Sequence, residues 1–149
     1  MSDIVARMMQ EPSMYFTACI CEGQVIEVGQ RIPIALDLVL TLASRLDEFH
    51  KENSKEPVEN QSQFTIVLPL SSFPDDISSL FRGAILLTSV HLDCDSIILM
   101  SKGSHLAAAY SYQVGYSLLC FYNPRKQECL RNSLLIKSLI AKACGLQSS

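Results

Sequence analysis

Charge is scarce in this chain. Lys, Arg, Asp and Glu make up 18% of its 149 residues, against about 25% in an ordinary soluble domain. With a hydrophobic fraction of 48%, that scarcity excludes a disordered chain and leaves apolar side chains to be buried in a core or against another subunit. Long uninterrupted apolar runs are also missing. The longest, residues 83–100, is broken by His91, Asp93 and Asp95, so neither a transmembrane helix nor a membrane partner is expected. The opening MSDIVARMMQEP has an early acid and no continuous apolar segment, and reads as lacking a signal peptide. The six cysteines (19, 21, 94, 120, 129 and 144) are therefore expected as reduced, small, buried residues of a cytoplasmic protein, not as a disulfide framework.

The signatures of chemistry are missing as well. There is no Gly-x-Ser-x-Gly, no Walker A sequence, no GxGxxG and no CxxC, so no catalytic residue is assigned and no cofactor is expected. Cys19 and Cys21 share a strand face, but only one residue separates them, where zinc sites begin with two to four. None of the three histidines has local partners, and no metal site is expected. The segment His91-Leu92-Asp93-Cys94-Asp95 is dense in ligand types but reads as a polar turn between a helix and a strand. Tyr110, Tyr112, Tyr116 and Tyr122 are clustered with few cations nearby, which fits rings at a core edge or an interface, with wet hydroxyls, better than base stacking.

Net charge is −3 but unevenly spread. Residues 1–100 hold six Lys/Arg against fourteen Asp/Glu, a net of −8, while 101–149 hold six against one, a net of +5. The second half reads as a solvated basic helix, and nucleic acid is not expected as a partner.

The length suits one domain, 1–149, with an exposed loop at 53–63, where NSKEPVENQSQ is low in hydrophobicity. Ser2 is placed to cap a short helix ending before Pro12. Residues 14–20 and 24–28 form a hairpin turning at Glu22-Gly23. A helix is expected from Pro33 to about residue 52. Its polar residues Asp37, Thr41, Ser44, Glu48 and Lys51 form one narrow stripe, with mostly apolar residues over the remaining arc. Residues 64–68 read as a buried strand, 74–90 as a helix and 96–100 as a strand covered on both faces. For 105–114 the alanines at 107–109 favour a helix over a strand of a meander. A strand over 116–122 and a helix over 124–143, stopped by Gly145, complete the chain. The expected fold is α/β or α+β: an N-terminal β-hairpin and a mixed sheet with helices packed on it.

Two functions follow as expectations. In the first, the helices 33–52 and 124–143 are apolar over wider arcs than one sheet face needs. Leu38, Leu42, Leu46, Ile136, Leu139 and Ile140 are then interface residues of a non-catalytic, regulatory interaction module that forms a homo-oligomer or joins a protein partner. Small scaffold domains of roadblock or longin type resemble this outline of hairpin, helix, meander and helix, without an inserted helix at 74–90. In the second, Ser101, Lys102, Gly103 and Ser104 follow a buried strand and would open a helix, whose free amides hold anionic oxygens. Over residues 72–122 this resembles the pyrophosphate-loop half of purine phosphoribosyltransferases. The resemblance implies a phosphorylated small molecule as ligand. That family's phosphoribosyl pyrophosphate motif is absent, since Glu128 is the only acid after Asp95.

Overall fold

A computed structural model describes residues 2–53, 63–86, 106–113, 115–124 and 133–145. The elements are α1 (Ser2–Met9), β1 (Met14–Cys21), β2 (Gln24–Gln30), α2 (Val39–Asn53), β3 (Phe64–Pro69), α3 (Asp75–Ala84), β4 (Ala107–Gln113), β5 (Tyr116–Tyr122) and α4 (Ser133–Ala143). Five strands form one sheet in the order β2-β1-β5-β4-β3. Every pairing among them is antiparallel, so the fold is α+β and the sheet is antiparallel, not mixed.

Strand alternation gives the sheet two apolar faces, each roofed by helices. Phe16, Ala18, Ala108, Tyr110, Leu119 and Phe121 face α2 and α3, and pack with Leu42, Leu46, Ile77 and Phe81. Cys19, Ala107, Ala109, Leu118, Cys120 and Tyr122 face the opposite way, against α1 and α4, with Met8, Ile136 and Ile140. The result is three layers. Along the chain a hairpin and α2 are followed by β3, α3, β4, β5 and the final helix, so α3 falls between β3 and β4 in sequence.

Local rules explain the hairpin. Glu22 (φ 52°) and Gly23 (φ 75°) both take positive φ, the geometry of a two-residue turn whose twist matches the flanking strands. At the far end of β2, Gly29 lets α1 come close. A Cβ there would stand 2.5 Å from Met9 Cγ and 3.0 Å from Val5 Cγ1. The Arg31 guanidinium then donates to the carbonyls of Met9, Glu11 and Met14, which satisfies acceptors left over where α1 ends. Arg7 donates to Ala143 O at 3.2 Å and ties α1 to the end of α4.

Several expectations are corrected. Residues 107–113 are a strand, not a helix. β4 lies between β5 and β3 with both faces covered, and its alanines let helices approach from either side. Tertiary context overrides their helix propensity. The helix expected from Pro33 begins at Val39, after a 3₁₀ turn at Leu36–Leu38. Extended backbone is needed before it, because Ala35 N donates to Ala84 O (2.7 Å) and Leu86 N to Pro33 O (2.9 Å), around an Ile34–Ile85 bridge. The same bridge ends α3 at Ala84, short of residue 90. Phe64–Pro69 is an edge strand and half-buried. The expected strand 96–100, the ligand-rich segment 91–95, the loop 54–62 and the first part of the last helix, 125–132, lie outside the described residues. Gly145 ends α4 at φ 74°.

Candidate functional site

A cleft of about 470 Å³ opens between α2 and the turn-bearing end of the sheet. It exists because α2 offers three flanks. Val39, Leu42, Ala43 and Leu46 are buried toward the sheet. Arg45 turns to α3, where its Nε donates to Asp76 Oδ2 at 3.1 Å. The third flank, Leu40, Ser44 and Asp47, recurs at helical spacing and forms one wall of the cleft.

The sheet supplies the opposite wall through Tyr110, Tyr112 and Ser117. The two hairpin turns make the rim. Cys21 Sγ lies 3.3 Å from Gly115 O, which holds the β1–β2 turn beside the β4–β5 turn. Tyr112 is fixed from behind: it stacks on Phe64 with ring centroids 5.7 Å apart, and Phe64 stacks on His50 at 3.7 Å.

One polar triad orders the wall. Tyr110 Oη stands 3.0 Å from Asp47 Oδ1 and 3.2 Å from Ser117 Oγ. A phenol has one proton to give; the carboxylate takes it, and the serine hydroxyl donates to the phenol oxygen. Burial pushes the Asp47 carboxyl above its ordinary range, against the opposing pull of the Tyr110 hydrogen bond, Lys51 and His50. Burial likewise pushes the Tyr110 phenol well up, and the neighbouring carboxylate adds to this. The tyrosine is a protonated donor that holds Asp47 in place. Acid dominates the lining: Asp47 and Glu22 belong to it, and among the described residues no Lys or Arg does.

The residues singled out from sequence are scattered by the fold. All six expected interface residues are taken by the chain's own core. Leu42, Leu46 and Ile136 have no exposed surface, Ile140 is buried, and Leu38 and Leu139 pack half-buried against the two clusters. The apolar side chains left exposed on these helices are instead Leu40 on α2, Leu36 just before it, and Leu134 and Leu135 on α4. Ser101, Lys102, Gly103 and Ser104 lie outside the described residues. The helix they were to open is absent at 107–113, where the chain is extended.

Among the described residues the buried thiols belong to packing. Cys120 is pushed up to about 12 by burial, and burial also raises Cys19 and Cys144. Among the described residues no three His, Cys, Asp or Glu side chains are grouped to hold a metal ion. Of the clustered tyrosines Tyr110, Tyr112 and Tyr116 line the cleft. Tyr122 is in the α1/α4 core, and Tyr116 bonds to Cys144 on that same side. Asp47 was missed by the sequence reading. Its signal was position: it falls outside the polar stripe of α2, so its carboxylate had to find a donor across the sheet. No protein-family model, no curated protein and no solved structure matches the chain.

Proposed function

We propose that this chain is a non-catalytic, intracellular interaction module that joins a protein complex through the outer flank of α2 and the cleft beside it. The observation that carries the reading is the exposure of Leu40 (38%), in the wall of an acidic cleft, and of Leu36 (43%), four residues before it. An apolar rim around convergent polar groups is the usual anatomy of a recognition site. The chemistry-bearing groups support it. Tyr110 is locked between Asp47 and Ser117, and the buried thiols are held protonated, an arrangement for packing and contact. The free thiols of the core fit a reducing compartment. No helix among the described residues is long and apolar enough to cross a membrane.

The partner this surface fits presents apolar side chains and positive charge, the complement of Leu36, Leu40, Glu22 and Asp47; a second copy of the chain is the other occupant to be tested. The test is affinity purification from the native cells of the full chain beside a Leu36→Asp/Leu40→Asp variant of unchanged melting temperature. A stoichiometric species, foreign or a second copy, that is lost with the variant supports the reading. The same species retained, or none with either protein, overturns it. The anion-binding alternative gains nothing here, because the cleft is acidic and the helix expected after residue 104 is replaced by β4.

A further inference from the structure

On that reading of the α2 flank, we propose that the cleft receives the cationic side chain of an arginine or lysine presented by the partner. Its chemistry is one-sided. Asp47 and Glu22 line a space that has no basic residue among the described residues of its lining, and low-dielectric walls strengthen a field of one sign. Tyr110 uses only Oδ1 of the Asp47 carboxylate, so the second oxygen is left for a donor. The half-buried carboxylate is costly to keep ionised without a positive partner. Lys51 and His50 follow Asp47 on α2, and charge on them would oppose the raising of its carboxyl, but neither lines the cleft.

Shape supports the same class of ligand. Leu40, Ala43 and Ile20 offer apolar surface to a side-chain stem. Tyr112, braced by Phe64, offers a ring to a planar cation. The volume lies in the range of sites that enclose one small group or one anchoring side chain. Coupling to Asp47 also sets a pH signature. Its carboxyl titrates above the ordinary value of 3.8, and a bound cation favours the ionised form, so affinity rises as pH rises through that titration.

The test is an NMR titration of the full chain, labelled with ¹⁵N, following the amides of Ser44, Asp47, Tyr112 and Gly115. Three probes are used: n-butylguanidinium, N-acetyl-arginine-N-methylamide, and the neutral isostere n-butylurea. The expected result is saturable shifts with both cations, at a Kd of ~1–10 mM for so small a ligand, and none with the urea. Affinity should fall about tenfold in Asp47→Asn and also on lowering pH toward 3.8. Silence with both cations overturns the inference, as does an equal response to n-butylurea or a response unchanged in Asp47→Asn. Binding of n-butylguanidinium with the blocked arginine excluded overturns the side-chain source and leaves a free small cation as the ligand. The two readings fail separately. A silent titration beside a partner lost in the leucine double variant overturns the cation inference alone. Saturable cation shifts with no such partner overturn the interaction module and the assignment of the cation to it.

Discussion

The two faces of the sheet are built from the same strands and from different side chains. Toward α2 and α3 runs a chain of rings: Phe16 to Phe121 (5.5 Å), Phe121 to Phe81 (5.0 Å) and Phe81 to Phe73 (5.2 Å). Toward α1 and α4 the same strands place Cys19, Ala107, Ala109 and Cys120, filled in by Met8, Met14 and Ile136. Rings hold their neighbours by shape and preferred angle, while thiols, methyls and thioethers fill space adaptably. The aromatic face also carries the cleft, where the rings of Tyr110 and Tyr112 meet Asp47 on α2. Large rigid groups leave gaps at their edges, and small ones close up. The face that is most firmly fixed is therefore the one able to keep an open, preorganised hollow.

Truncation should separate the faces most. Phe81→Ala, in the middle of the ring chain, is expected to cost about 3–5 kcal/mol of unfolding free energy, measured by denaturant titration. Cys120→Ala on the opposite face should cost about 1 kcal/mol, the scale of one buried methylene-sized group. Comparable losses at the two positions would erase the distinction. The thiols give a second, kinetic contrast. Cys19 and Cys120 have no exposed surface, and burial holds their thiols protonated. Iodoacetamide at mildly alkaline pH should therefore spare both in the folded chain and modify both after denaturant is added. Peptide mapping that finds either one labelled at the native rate of an open thiol would show that the α1/α4 layer lifts.

Smaller effects come from the carboxylates. Because the folded Asp47 carboxyl titrates above 3.8, the native state holds its proton longer than the unfolded chain does, and this group's contribution declines as pH rises from 3.8 through the raised value. An amide can still accept from Tyr110, so Asp47→Asn should gain stability relative to wild type across that window. A flat difference in melting temperature with pH would contradict the burial assigned to it. Asp76 has the opposite sign. The Arg45 guanidinium holds its carboxyl low, so the contribution is present above the ordinary carboxylate range and lost as pH falls through the lowered value. This pair is exposed, and Arg45→Ala should give the smallest change of the series, vanishing in high salt.

Part of this architecture was legible beforehand, where a local rule decides the outcome. The Glu22-Gly23 turn, the strands on either side of it and the strand 116–122 depend on turn chemistry and alternation, which a short segment carries by itself. β4 was not legible. Ala107, Ala108 and Ala109 favour a helix in isolation, and only the two helical layers that press on the sheet explain why small residues stand there. The apolar arcs read on the helices 33–52 and 124–143 are wider than the faces buried on α2 (Val39, Leu42, Ala43, Leu46) and α4 (Ile136, Ile140, Ala143). Their cause was misplaced: Leu42, Leu46 and Ile136 are buried within one protomer, and the exposed leucines lie beside them. The tyrosine cluster was expected as rings at a core edge or an interface, which fits the half-buried Tyr112 and Tyr116 but not Tyr110 and Tyr122, which are buried outright. The cluster's function-bearing contact was not legible, because Tyr110 and Asp47 are 63 residues apart and no spacing rule joins them.

The most direct test is a pair of substitutions on adjoining flanks of α2, Leu42→Asp and Leu40→Asp, compared by circular dichroism, melting temperature and sedimentation. A charge at Leu42 would be buried without a partner, at a cost of several kcal/mol, so the account predicts a chain that no longer folds. Leu40→Asp should melt as wild type and lose only its association. A folded Leu42→Asp chain that merely comes apart from its partner, with Leu40→Asp associating as before, would place Leu42 on the outside and contradict the three-layer protomer.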